Sequence, residues 1–436
     1  MSTATARFPD WCSLSELGRT AALEQCRRRL AHLGRKLHAV EHIYHAEAPH
    51  EGPLSGLPYV AKDMFATGRS EPSWGCSTPQ APALRRASVI DRLDRAGASL
   101  IGTATMTELA YEPSGIARRG ALNPWSFDCV PGGSSTGSAI LVASGCCFAA
   151  LGSDTGGSVR IPAHCCGITA LKPGYGKIPL DGAMALAPSL DTFGAFARSA
   201  ADLALLWPSI CGEPLAASEK LPRAVVLQDA FEASDAEIAR VCRGAVAVLV
   251  DSGMRIAEIS GFSEEADLHA LTVLLAEAAR EHRARVDDPS IDAMLRKRIA
   301  KGLLITDEEL AVAIAARGQL RDQFILSCLG GAGAAILPVM PIKTPQVKEV
   351  DPASAQFNPR VLYAMSRFTR FVNYLGLPAL AVPAGFDDRG MPVGLQLIGR
   401  PGSEATLLQI AVRLQERTDW HGRVPLAIAS EIADEP

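Results

Sequence analysis

Pro131-Gly132-Gly133-Ser134-Ser135-Thr136-Gly137-Ser138 and, further along, Asp154-Thr155-Gly156-Gly157-Ser158-Val159-Arg160 carry the densest information in this chain. Glycine beside serine lets the backbone take positive φ and bring its N–H groups close to a ligand. Either cluster alone reads as a turn or a phosphate cradle. The pair is rarer: Ser158 follows Ser134 by 24 residues (158 − 134), an apolar stretch joins the clusters, and Tyr59-Val60-Ala61-Lys62-Asp63 precedes them.

Outward from these clusters, short apolar runs alternate with helical patterns. Leu57 to Ala61 reads as a strand ending at Lys62, Val89 opens a helix that stops at Gly97, and Ser99 to Gly102 is the next strand. Ser138 to Ser144 reads as a helix of small residues and Cys147 to Leu151 as a strand running into the Asp154 loop. Later come strands at Ala334–Pro338 and Leu380–Pro383, the segment Gly394–Gly399, and a last helix from Glu404 to Arg417. Alternation of this kind predicts an α/β fold, with a mixed, largely parallel twisted sheet covered by helices on both faces.

Leu14 to about Glu47 reads as a helix, with Leu17, Ala21, Leu23, Leu30, Leu33 and Val40 recurring in a helical pattern among Arg and Glu. His38, His42 and His45 could share one face of it and bind a metal; an exposed polar face is the blander reading, and it is preferred. The stretch from Leu215 to Leu329 is expected to be mostly helical. No repeat, low-complexity tract or linker breaks the chain. A single domain over 1–436 is expected, with residues 1–50 packing on the core and 215–330 as a helical insertion shaping the pocket.

The chain has 436 residues, 48% hydrophobic and 21% charged, and a formal net charge of −4. That balance offers no basic stripe for nucleic acid. No window reaches the roughly 18 consecutive apolar residues of a membrane span, and the first residues lack a signal-peptide pattern, so a cytoplasmic location is expected. Eleven cysteines, an odd number without a Cys-x-x-Cys pair, argue against a disulfide framework; the doublets at 146–147 and 165–166 read as buried packing.

A serine hydroxyl is a weak nucleophile until a neighbouring base takes its proton. Only His164 falls in the glycine-rich region. Lys62 is an alternative base, since burial at a strand end disfavours its ammonium form; otherwise a lone lysine is a surface charge. With the two clusters and Lys62 in hand, the chain resembles the amidase signature family of serine amidohydrolases, and Ser189 to Gly194, Leu171-Lys172-Pro173 and Asn373 to Ala379 match its further landmarks.

The resemblance implies a Ser–Ser–Lys triad, with Ser158 as nucleophile, Ser134 as relay behind a cis peptide bond, and Lys62 as base. It also implies an oxyanion hole from the N–H groups of Thr155, Gly156, Gly157 and Ser158, and no cofactor or metal. Trp74, Met106, Tyr111, Gly133 and Phe193 are the expected substrate contacts, and Asp154, Arg160 and Asp191 the supports. Arg160 is expected to pair with Asp154 rather than with a substrate carboxylate. Thr136, Ala195 and His164 depart from the family pattern without removing a catalytic group.

The expected activity is hydrolysis of a small-molecule amide; the sequence leaves the oligomeric state open, a homodimer being common for soluble enzymes of this size. One alternative is the amidase-like subunit of a glutamine-dependent tRNA amidotransferase, although that subunit usually carries Gln where Ile161 follows Arg160. Another is a catalytically silent relative that binds. A Gly-x-Ser-x-Gly elbow centred on Ser135, with His269, His282 or His421 as base, is a further reading; the polar stretch before it is not the required strand.

Overall fold

The computed structural model describes residues 7–45, 51–77, 85–116, 120–215 and 221–433. Its first helix, α1 (Glu16–Arg29), begins where Ser15 Oγ accepts the Gly18 N–H at 3.2 Å. Glu16 in the first turn and Arg27, Arg28 and Arg29 in the last complement the helix dipole. The helix widens into a π-helical turn at Leu30–Gly34 and soon stops. His38 takes a positive φ of 52°, and Val40–Ile43 forms strand β1.

The long helix expected to Glu47 is thus corrected: branched Val40 and Ile43 pair with a neighbouring strand instead. His42 lies in that strand, so the three histidines share no helical face. Among the described residues no group of three His, Cys, Asp or Glu is placed to hold a metal. Residues 1–6 and 46–50 of the expected N-terminal segment lie outside the described residues.

The following elements are β2 (Pro58–Lys62), α2 (Ser88–Arg95), β3 (Ser99–Ala104), α3 (Thr136–Ala143), β4 (Ala149–Asp154), α4 (Arg160–Cys166), β5 (Thr169–Lys172), β6 (Thr192–Ala197) and α5 (Ala200–Cys211). After these come strands β7 (Ala224–Leu227), β8 (Ile256–Ile259), β9 (Ala334–Pro338), β10 (Ala379–Phe386) and β11 (Pro392–Ile398). All eleven join one sheet in the order β1-β3-β2-β4-β6-β5-β10-β11-β9-β7-β8, flanked by helices in a single domain.

The sheet is mixed, as expected, but parallel pairing is confined to β3-β2-β4 and β9-β7-β8. Every pair between these groups is antiparallel, as is the β1-β3 edge. "Largely parallel" therefore describes only the two wings. The segment expected to be mostly helical also contributes β7 and β8, four-residue strands set between helices. Residues 216–220 of it lie outside the described residues.

Small residues let the site-bearing elements pack closely. All eight residues of α3 are buried, and a Cβ on Gly137 would stand 2.2 Å from the Ala39 carbonyl oxygen. Ser199 caps α5 through the Asp202 N–H. The Asp202 carboxylate in turn accepts the Trp11 and Cys12 N–H groups at 3.0 Å each, which ties the N-terminal segment to the body. Trp11, fully buried, meets Phe148 edge-on at 5.0 Å. Among the described residues no helix is long and apolar enough to cross a membrane.

Candidate active site

β2 and β4 lie side by side and parallel, with Ala61 opposite Leu151, so Lys62 and Ser153 emerge at the same edge of the sheet. Lys62 Nζ donates to Ser134 Oγ at 2.7 Å and to Ser153 Oγ at 2.9 Å. Lys62 and Ser134 have no exposed surface. Burial lowers Lys62 to about 7, against the raising pull of Asp191 and Asp154. Ser134 follows a cis peptide bond from Gly133, and its carbonyl accepts the Thr107 N–H at 3.2 Å. The Ser135 N–H donates to the Ser158 carbonyl at 3.2 Å, which stitches the two clusters together.

The second loop hangs on an ion pair. Arg160, with no exposed surface, donates to Asp154 Oδ2 at 3.0 Å and Oδ1 at 2.8 Å. Two further N–H groups reach Gln396 Oε1 at 2.6 Å and Asn373 Oδ1 at 2.5 Å. Burial alone would raise Asp154, but the Arg160 charge overrides it and holds the carboxyl at about 2. With four side-chain hydrogen bonds inside the protein, Arg160 is not available to a substrate carboxylate. Asp191 accepts the Thr155 hydroxyl at 2.6 Å and the Leu186 N–H at 2.9 Å; burial raises it to about 6, with those hydrogen bonds opposing.

One expected oxyanion donor needs correction. The Gly157 N–H is given to Asp154 Oδ1 at 2.9 Å, because the carboxylate at the end of β4 sits directly under that amide. The N–H groups of Thr155, Gly156 and Ser158 donate to no acceptor among the described residues. Such converging amides can stabilise an oxyanion.

A cavity of about 80 Å³ opens at Ser158, walled by Thr155, Gly156 and Ile161 on one side and Leu271, Leu274 and Ala278 on the other. A wider cleft of about 910 Å³ adjoins it and shares Tyr111, Glu112, Arg298 and Leu362. Glu112 is occupied by the Ser114 N–H and hydroxyl and the Gly115 N–H, at 2.7, 2.6 and 3.0 Å. Arg298 has neither a hydrogen bond nor an ion pair among the described residues, which makes it the unpartnered charge of the cavity wall.

Of the five expected substrate contacts, only Tyr111 lines this cavity. Trp74 takes a positive φ of 57° and bonds back to Asp63. Met106 is buried core, and Phe193 is buried against Phe65 at 4.7 Å. Gly133 is buried, its N–H given to the Pro113 carbonyl at 2.7 Å. Sequence reading missed Ser153, whose only signal is its place one residue before Asp154. It also missed Leu271, Leu274, Leu275 and Ala278, although their i, i+3, i+4, i+7 spacing marks one helical face.

His164 is a core histidine: it is buried, its Nδ1 accepts the Gly394 N–H at 3.0 Å, and burial lowers it to about 4. The Ser135 hydroxyl is buried and donates to the Ser153 carbonyl at 3.2 Å. His269 stacks on Tyr374, and no histidine contacts Ser135 among the described residues, so the elbow reading is not met.

The family model described as Amidase matches residues 34–408. The chain is 34% identical over 422 residues, 86% of each partner, to a glutamyl-tRNA(Gln) amidotransferase subunit of Halorhodospira halophila. A similar relative of the same name comes from Moorella thermoacetica, 33% identical over 86% of this chain and 85% of that one. A crystal structure of an amidase superposes with a TM-score of 0.83 at 30% identity, covering 92% of this chain and 96% of that one. The corresponding glutamyl-tRNA(Gln) amidotransferase subunit from Thermotoga maritima superposes at 0.79 with 26% identity, over 95% and 96%.

Proposed function

This chain belongs to the amidase family, and on that premise we propose that it cleaves the C–N bond of an amide by acyl transfer to Ser158. The observation that carries the reading is the fully buried Lys62–Ser134 hydrogen bond at 2.7 Å, in a loop stitched to that of Ser158. With its folded pKa near 7, Lys62 is available as a neutral amine at neutral pH, which is what a base needs.

Ser158 Oγ attacks the carbonyl carbon as its proton passes to Ser134 Oγ and the Ser134 proton passes to Lys62 Nζ. The oxyanion forms against the Thr155, Gly156 and Ser158 amides. When the C–N bond breaks, Ser134 returns a proton to the leaving nitrogen and is reprotonated by Lys62. Water then attacks the acyl-enzyme by the same proton route, releasing the carboxylate and regenerating Ser158.

A second reading keeps this chemistry but places it in a tRNA-dependent amidotransferase, with glutamine as the amide. The named relatives, matched over 86% of each chain, favour it over a free-standing amidase. So does the cavity, where unpartnered Arg298 and Tyr111 suit an amide bearing a carboxylate, as glutamine does. Ile161, where the amidotransferase protein usually carries Gln, weighs against it.

Labelling with a fluorophosphonate followed by peptide mass spectrometry tests the shared chemistry: the label is expected on Ser158 and lost in Lys62→Ala. A label on no serine returns the chain to a binding role. Glutamine hydrolysis, with co-purification of partner proteins and tRNA, separates the second reading from the first.

A further inference from the structure

We infer that Thr369 is a positioning residue for the anion-binding amides of the 155–158 loop, an assignment that rests on the hydrolase reading above. The peptide unit joining Gly156 to Gly157 is gripped at both ends. Its carbonyl oxygen accepts the Thr369 hydroxyl at 2.7 Å, and its N–H goes to Asp154 Oδ1 at 2.9 Å. A peptide unit is planar, so holding both ends fixes the plane. That plane sets where the flanking Gly156 and Ser158 N–H groups point.

The two grips differ in origin. Asp154 lies three residues from Gly157 and belongs to the same strand–loop unit. Thr369 lies 213 residues from Gly156, just before the short helix Arg370–Tyr374. It is fully buried, and its hydroxyl has a longer contact, 3.1 Å, to the Ser366 carbonyl. Gly157 takes a φ of 127°, and a Cβ there would stand 2.2 Å from Thr369 Oγ1. The threonine hydroxyl therefore occupies the space that the missing side chain leaves, and it reaches the neighbouring carbonyl from there.

Displacing an active-site group by about 1 Å costs up to about 100-fold in rate, and one oxyanion donor is worth about 100- to 1000-fold. Valine at 369 keeps the volume and removes the donor; serine keeps the donor and removes the methyl group. The test is the rate of fluorophosphonate labelling at Ser158 in the full chain as a function of probe concentration.

Thr369→Val is expected to lower the maximal labelling rate about 10- to 100-fold, with the half-saturating concentration changed less than about twofold. Thr369→Ser is expected to stay within about threefold of the parent. Thr369→Ala replaces Thr369→Val if the valine variant does not fold, and must lose more than Thr369→Ser. A parental rate in the donor-free variant, an equal loss in Thr369→Ser, or a change confined to half-saturation would overturn the assignment. Absence of label on Ser158 in the parent would instead overturn the hydrolase reading, and this inference with it.

Discussion

Two surfaces meet at Ser158, and they are built differently. On one side, Lys62, Asp154, Arg160 and Asp191 are each held by two or more hydrogen bonds. On the other, the helix Glu264–Glu281 presents Leu271, Leu274, Leu275 and Ala278, side chains with no hydrogen-bonding capacity. The polar side is intolerant because a buried polar group that loses its partner costs about 1–3 kcal/mol and moves its neighbours. The apolar side constrains shape alone, and shape is cheaply altered. On the proposed mechanism, chemistry is therefore fixed on one wall and selectivity is adjustable on the other.

The sharpest break in that contrast would come from the polar wall. Ser158→Ala and Lys62→Ala should each lower turnover by about a thousandfold or more, with the thermal unfolding of Ser158→Ala close to the parent. A Lys62→Ala enzyme at full rate would remove the base from the mechanism.

A pH series sharpens the same point. Lys62 must be neutral to accept a proton, so the rate should climb through about pH 7 and level off above it. The stability effect has a definite sign. Lys62 falls from 10.5 in the unfolded chain to about 7 in the fold, so between these values the unfolded chain binds the extra proton, and stability rises with pH. Lys172 is buried and lowered in the same way. Lys62→Met and Lys172→Met should each gain most in melting temperature at about pH 7 or below, relative to the parent, with the gain shrinking towards about pH 10. A pH-independent difference would mean that neither lysine is forced towards neutrality.

On the apolar wall, Leu274→Ala should shift the preference between small and bulky acyl groups by about tenfold in kcat/KM while leaving Ser158 reactive to the probe. A loss as deep as that of Lys62→Ala would erase the distinction between the walls. His164→Leu, away from both, should cost about 1–3 kcal/mol of stability by orphaning the Gly394 N–H, with the rate of labelling near parental.

The polar wall was also the legible one. Ser134 and Ser158 stand in paired glycine-serine clusters, Lys62 ends the apolar run that precedes them, and β2, β3 and β4 follow from compact apolar runs. The opposite wall carries an ordinary amphipathic pattern, and nothing local tells such a helix that it faces a cavity rather than a core. Strand direction was illegible for a similar reason: β6 pairs with β4 and β5 with β10 through contacts far apart in sequence. β1 was hidden because Val40 continues the helical spacing of Leu30 and Leu33. Ser153 and Thr369 were missed because each acts through one long-range hydrogen bond that no spacing rule encodes.

The grip on Arg160 has a bearing on how the molecule is made. Its partners Asn373 and Gln396 lie 213 and 236 residues downstream, so a ribosome that has already delivered both glycine-serine clusters has not yet delivered the groups that bury the Arg160 charge. Long-range closure of this kind is slow to form. Until it forms, the loop bearing Ser158 lacks its C-terminal supports, and a nascent or truncated chain holds every reactive side chain without the geometry to use them. On the proposed mechanism, competence for hydrolysis is thereby tied to completion of the chain through Gln396.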